Sequence, residues 1–133
     1  MKRQNLQPEA LYKRVVNGHT LYYHVVAIEE GKRMIFIAGQ LARDAQGNLV
    51  GKGDMGAQIR QVGENIKAAL ETAGATLNDI VKTNTYVTNI DEFFKHIDVR
   101  MEYLKAMPTS TTVEVRRLQN PDAMVEIEVM AMI

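Results

Sequence analysis

Met124-Val-Glu-Ile-Glu-Val-Met-Ala-Met132 alternates without a break. Successive side chains of a strand point to opposite faces, so this run divides into two sets. Val125, Ile127, Val129 and Ala131 form a wholly apolar face, while Glu126 and Glu128 share the other with Met124, Met130 and Met132. Glutamate is rarely buried unless it is paired or put to use. Three placements are open for the two acids: partners across a subunit contact, a working cleft, or solvent on the outer side of an antiparallel sheet. All three require a sheet with one face in the core.

Working back from this strand, Gln119-Asn-Pro-Asp122 is a turn that separates it from another strand over Ser110 to Leu118. Pro108 blocks extension of a helix over Asp91 to Ala106, whose stripe is Phe94, Ile97, Met101 and Leu104. Ile80 to Thr88 has strand composition. Before it, Met55, Ile59, Val62, Ile66, Ala69, Leu70 and Ala73 recur at helical spacing, with Asp54 as N-cap and Gly74 as the stop. Asp44-Ala-Gln-Gly-Asn48 is a loop. Thr20 to Glu29 and Arg33 to Gln40 read as two strands joined in a hairpin by Glu30-Gly31-Lys32. The order β-β-α-β-α-β-β predicts an α+β domain over residues 1–133, with two helices on one face of a mixed or mainly antiparallel sheet. Two helices cover only one face. Tyr22, His24, Val26 and Ile28 share one side of the first strand, and Met34, Phe36, Ala38 and Gln40 one side of the second, so the uncovered face predicts packing against further copies of the chain.

Composition excludes several functions. The 16 Lys and Arg residues balance the 16 Asp and Glu residues, so no global field draws the chain to nucleic acid or an anionic membrane. There is no cysteine, which removes disulfides, thiol nucleophiles and thiolate metal sites and fits a reducing compartment. The basic start, Met-Lys-Arg-Gln-Asn, is not followed by an apolar stretch, and no run approaches a membrane span. A cytoplasmic protein is expected. His19, His24 and His96 lack metal-ligand spacing, and the glycines form no phosphate loop, so neither a metal nor a cofactor is expected.

Six blocks, in order, carry a resemblance: Ile35-Phe-Ile-Ala-Gly-Gln40, Gly63-Glu-Asn-Ile-Lys-Ala-Ala-Leu-Glu-Thr-Ala-Gly74, Asp79-Ile-Val-Lys-Thr83, Tyr86-Val87, Val113-Glu-Val115 and Val125-Glu-Ile-Glu128. From about His24 to the C-terminus the chain resembles the Rid (reactive intermediate deaminase, or YjgF) family. The resemblance implies a chorismate-mutase-like fold, a homotrimer whose three sheets form an inner barrel, and ligand clefts at the subunit interfaces. It also implies metal-free hydrolysis of enamines and imines to keto acids and ammonia.

One departure bears on substrate. The characterised branch reads Pro-x-Arg-Ser, its arginine clamping the substrate carboxylate through a bidentate pair. This chain reads Pro108-Thr-Ser110-Thr111 and resembles branches without that arginine. A serine hydroxyl cannot supply a forked cationic contact, so ordinary 2-imino acids are expected to be poor substrates. Glu126 matches the family glutamate beside the attacking water, where a carboxylate can orient and activate it. Gln40 closes the Gly-Gln step that lines the cleft, and His24 falls near an active-branch tyrosine, with Tyr23 as its competitor. An imidazole there can shuttle a proton, or it can be a satisfied structural residue. Ser110 and Thr111 are candidate hydrogen-bonding groups for a ligand, and Arg116 is a candidate replacement anion clamp or a surface ion-pair partner. An imine hydrolase and a non-catalytic trimeric metabolite binder both remain open. A ribonuclease or translation inhibitor fits the neutral charge least.

Overall fold

The computed structural model describes residues 1–133. In chain order its elements are β1 (Lys2–Leu6), β2 (Val15–Val16), β3 (His19–Thr20), β4 (Val25–Glu29), β5 (Met34–Gln40), α1 (Met55–Thr72), β6 (Ile80–Val87), α2 (Ile90–Lys95), α3 (Ile97–Tyr103), β7 (Thr109–Glu114) and β8 (Val125–Met132). The main sheet has the order β5-β8-β6-β7. The strand that opened the sequence reading, β8, lies inside it, antiparallel to both neighbours, whereas β7 runs parallel to β6. A parallel pair cannot close through a tight hairpin; α2 and α3 form the crossover.

The helices lie on one face of an α+β fold, as expected. Asp54 caps α1 by accepting from the Ala57 amide at 3.0 Å. Met55, Ile59, Val62, Ile66 and Leu70 of α1 join Val125, Ile127, Val129 and Ala131 of β8 in one core. Full burial of each larger side chain contributes about 1.5–3 kcal/mol. The opposite face of the sheet has no helix over it. Phe36 is 69% exposed and Met34 50% exposed there, on the β5 side that also carries Ala38.

Three expectations are corrected. The predicted hairpin does not form: β4 pairs antiparallel with β1, a strand missed at the basic N-terminus, from Lys2↔Glu29 to Leu6↔Val25. The Lys32 and Arg33 amides instead donate to the carbonyl of Ile133, the C-terminal residue. Tyr22 and His24 therefore precede β4 and do not share its face with Val26 and Ile28. The second helix is two helices, because the backbone leaves helical geometry at His96, where ψ is 26°. That break shifts the buried stripe to Phe93, Ile97, Arg100, Met101 and Leu104. The strand predicted to run to Leu118 stops at Glu114.

Candidate functional site

Glu126 and Glu128 face the uncovered side of the sheet opposite Tyr86 and Asn84 of β6. Their environments differ. Glu128 accepts from the Tyr86 hydroxyl at 2.7 Å and from the Asn84 amide at 3.0 Å. Those two bonds, Tyr86 first, hold its carboxyl below the usual range, and the same bond raises the Tyr86 phenol. Glu126 has no hydrogen-bond partner within the chain. Its carboxylate lies over Gly39 of β5, where any Cβ would run into it. Glu126, Gly39, Gln40, Arg43, Asn65 and Gln119 line one cavity of about 460 Å³. Gln40 is steadied by donating to the Ala38 carbonyl at 3.0 Å.

A residue absent from the sequence reading anchors the start of β8, the strand that carries Glu126. Gln58 of α1 is fully buried; its amide donates to the Gly51 and Asp122 carbonyls and its oxygen accepts from the Met124 amide at 2.8 Å. These bonds tie α1 to the turn before β8. A glutamine at a buried position of an amphipathic helix was the available signal.

Ser110 belongs to the other side of the sheet. On edge strand β7 it pairs with buried Thr83, whose hydroxyl donates to Ser110 Oγ at 3.0 Å. The same oxygen accepts from Arg100 Nη2 at 3.0 Å. Arg100 comes from α3 and is 3% exposed, a second residue that sequence reasoning missed. Its signal was an arginine on the helical stripe once the break at His96 is known. Burial pushes its guanidinium down to about 10, so it stays charged at neutral pH.

Tyr22, Tyr23, His24, Ser110, Thr111 and Lys82 line a second cavity, of about 430 Å³. The structure thus brings both competing residues, Tyr23 and His24, to the wall that carries Ser110. His24 Nε2 lies 2.8 Å from the Tyr12 carbonyl. A carbonyl can only accept, so Nε2 carries a proton and Nδ1 is the nitrogen left for other contacts. Arg116 lies exposed beyond the end of β7 and lines neither cavity. His19 and His96 are engaged with Asp98 and Glu92, at 2.8 Å and 3.2 Å. Within one chain Glu126 and Ser110 do not meet: they project from opposite faces, on β8 and β7, with β6 between them.

Comparison with known proteins agrees with this architecture. The family described as Endoribonuclease L-PSP matches residues 7–133. A RutC family protein of Pyrococcus horikoshii is 43% identical over 106 residues, covering 79% of this chain and 82% of that one. A 2-iminobutanoate/2-iminopropanoate deaminase of Salmonella typhimurium is 35% identical over 102 residues, covering 74% and 78%. Among solved structures, a Rid-family protein of unknown function from Yersinia pestis superposes with a TM-score of 0.84 at 34% identity, covering 100% of both chains. The fold, the matched length and these relatives together place the chain in the Rid (YjgF) family.

Proposed function

We propose that the protein is a metal-free hydrolase of the deaminase type, acting on an imine, an enamine or a related reactive small metabolite, with substrate preference altered by Ser110. The observation that carries this reading is the contrast between the paired acids. Glu128 is committed to Tyr86 and Asn84, while Glu126 faces a cavity with its carboxylate uncommitted. A carboxylate in that position can take a proton from a water as its oxygen attacks the electrophilic carbon of an iminium. The new C–O bond gives a carbinolamine. Return of the proton to nitrogen lets the C–N bond break, releasing ammonia, and the hydroxyl proton passes back to the Glu126 carboxylate to leave a neutral carbonyl compound. Relatives described as 2-iminobutanoate/2-iminopropanoate deaminases support this chemistry.

The reading includes a homotrimer with clefts between subunits. Glu126 and Ser110 project from opposite faces of one sheet, so a cleft that uses both takes them from different copies, and the exposed Phe36 and Met34 offer the contact. It is a cytoplasmic activity without a cofactor. The endoribonuclease description is set behind it, because a formal net charge of zero provides no field for a polynucleotide.

The test is a substrate screen with imines generated in situ, run on the wild type and on Glu126→Gln. The amide keeps the shape and loses the base, so turnover should fall about 100- to 10,000-fold while the melting temperature stays within about a degree. Full activity in Glu126→Gln would overturn the role of Glu126. No turnover of any imine by the wild type, with ligand binding intact, would favour the metabolite-binding alternative.

A further inference from the structure

A free carboxylate beside a phenol poses a chemical question that the hydrolase reading leaves unanswered. Tyr86 of β6 stands directly opposite Glu126 in the cross-strand register, and Asn84 stands opposite Glu128. Directly opposed residues lie about 4.5–5.5 Å apart at Cβ, and diagonal neighbours about 7–8 Å. The Tyr86 hydroxyl nevertheless takes the diagonal and donates to Glu128 at 2.7 Å. That bond raises the phenol most, burial adds to it, and the charges of Glu128 and then Glu126 supply the remainder. Glu126 is therefore within electrostatic reach of a hydroxyl that bonds to its neighbour.

Two contacts hold this arrangement. Asn84 donates to the same Glu128 oxygen at 3.0 Å, which fixes the acceptor, and the Tyr86 ring packs against the cluster of Leu41, Leu118 and Ala123. Leu41 also lines the Glu126 cavity, whereas Tyr86 does not. The other charged groups nearby are Lys82 of β6, which lines a cavity with Glu128, and Arg43 and Asp44, which line the Glu126 cavity. Strand β5 contributes no charged side chain. One phenol thus has two carboxylates to choose from, and a carboxylate is a stronger acceptor than any neutral group on this face.

We propose that Glu128 is a positioning residue for the hydrolysis: it holds the Tyr86 hydroxyl away from Glu126 and so leaves Glu126 free to take a proton from water. A phenol donating to Glu126 would stabilise its charged form and weaken it as a base. It would also occupy an oxygen that the attacking water needs. Glu128 acts through Tyr86 and touches no reacting atom. This role rests on the hydrolase reading for its place in a reaction; the partner that the phenol chooses can be measured without turnover.

The experiment compares the wild type, Glu128→Gln and the double variant Glu128→Gln/Tyr86→Phe. The substrates are imines released in situ, by an amine oxidase from butylamine and by an amino-acid oxidase from 2-aminobutyrate. In Glu128→Gln the diagonal acceptor is a neutral amide, so the phenol should turn to Glu126. The kcat/KM should fall at least about tenfold, and the acid limb of its pH profile should move to lower pH. Removing the hydroxyl as well should bring the rate back to within about threefold of the wild type and return the acid limb. The Glu128 charge is missing from both variants, so the difference between them reports the hydroxyl alone. A Glu128 that only holds the sheet together would leave the double variant no more active than the single one, and that result would overturn the proposal. So would a wild-type rate in Glu128→Gln. The carboxyl ¹³C resonance of Glu126, identified by its loss in Glu126→Gln, makes the same comparison without substrate. It should titrate at lower pH in Glu128→Gln than in the double variant; coincident curves would overturn the proposal. If the wild type turns over neither imine while this resonance behaves as expected, the hydrolase reading fails and the hold of Glu128 on the phenol stands.

Discussion

Glu126 and Glu128 show how two copies of one residue type, two positions apart on one face, acquire different chemistry from their neighbours. Glu128 has its carboxyl held low by Tyr86 and Asn84. A lowered folded pKa makes a contribution to stability that is complete above the ordinary value of about 4.5 and is lost as the pH falls through the lowered one. The melting temperature of the wild type should therefore fall more steeply below about pH 4.5 than that of Glu128→Gln, which has no proton to take up there. Parallel curves from calorimetry at pH 3 to 6 would count against the bond to Tyr86. Thr85 presents the opposite case. It is fully buried and its hydroxyl finds no partner. Thr85→Val removes an unsatisfied polar group at nearly constant volume, and should stabilise the protein by about 1–2 kcal/mol in urea denaturation.

At the scale of elements, contacts made by small residues set the distances between layers. Gly63 sits on α1 against the face of the Tyr103 ring from α3, and a Cβ would enter that ring. Alanine favours a helix by about 1 kcal/mol over glycine, but overpacking a core contact costs about 1–3 kcal/mol. Gly63→Ala should therefore lower the urea midpoint, and a raised midpoint would mean that α3 moves away freely. Helix α1 was legible because its apolar residues recur at one period from a capping Asp54 to Gly74. The second helical segment was legible as helix but not in phase. A periodic reading takes Phe94 as core and passes over Phe93, because it assumes one unbroken helix across His96. Arg100 was hidden by the same assumption. The predicted hairpin failed for a different reason: turn chemistry at Glu30-Gly31-Lys32 permits a reversal but does not choose the partner, and β1 and the C-terminal residue take the backbone groups of the flanking segments.

For the whole molecule, the sheet face without helices is the main unmet demand of the fold. Phe36 projects from the middle of β5 at 69% exposure. With the trimer of the proposed function, Phe36→Glu should turn a particle of three times the 15.0 kDa chain mass into monomers, read by light scattering at micromolar concentration. A wild type that scatters as a monomer would remove the trimer and the intersubunit cleft together. What the sequence determined alone was local or periodic: the alternation of β8, the amphipathic stripe of α1 with its cap at Asp54 and its stop at Gly74, and the placing of Glu126 with Glu128 on one face. Those follow from geometry repeated every few residues. Only the tertiary structure decided which of the two acids is committed, that Ser110 and Glu126 project from opposite faces, and that a guanidinium from α3 fills the space beside Ser110. Each of these depends on neighbours brought together from distant parts of the chain, and their spacing along the chain carries no period from which the contact could be read.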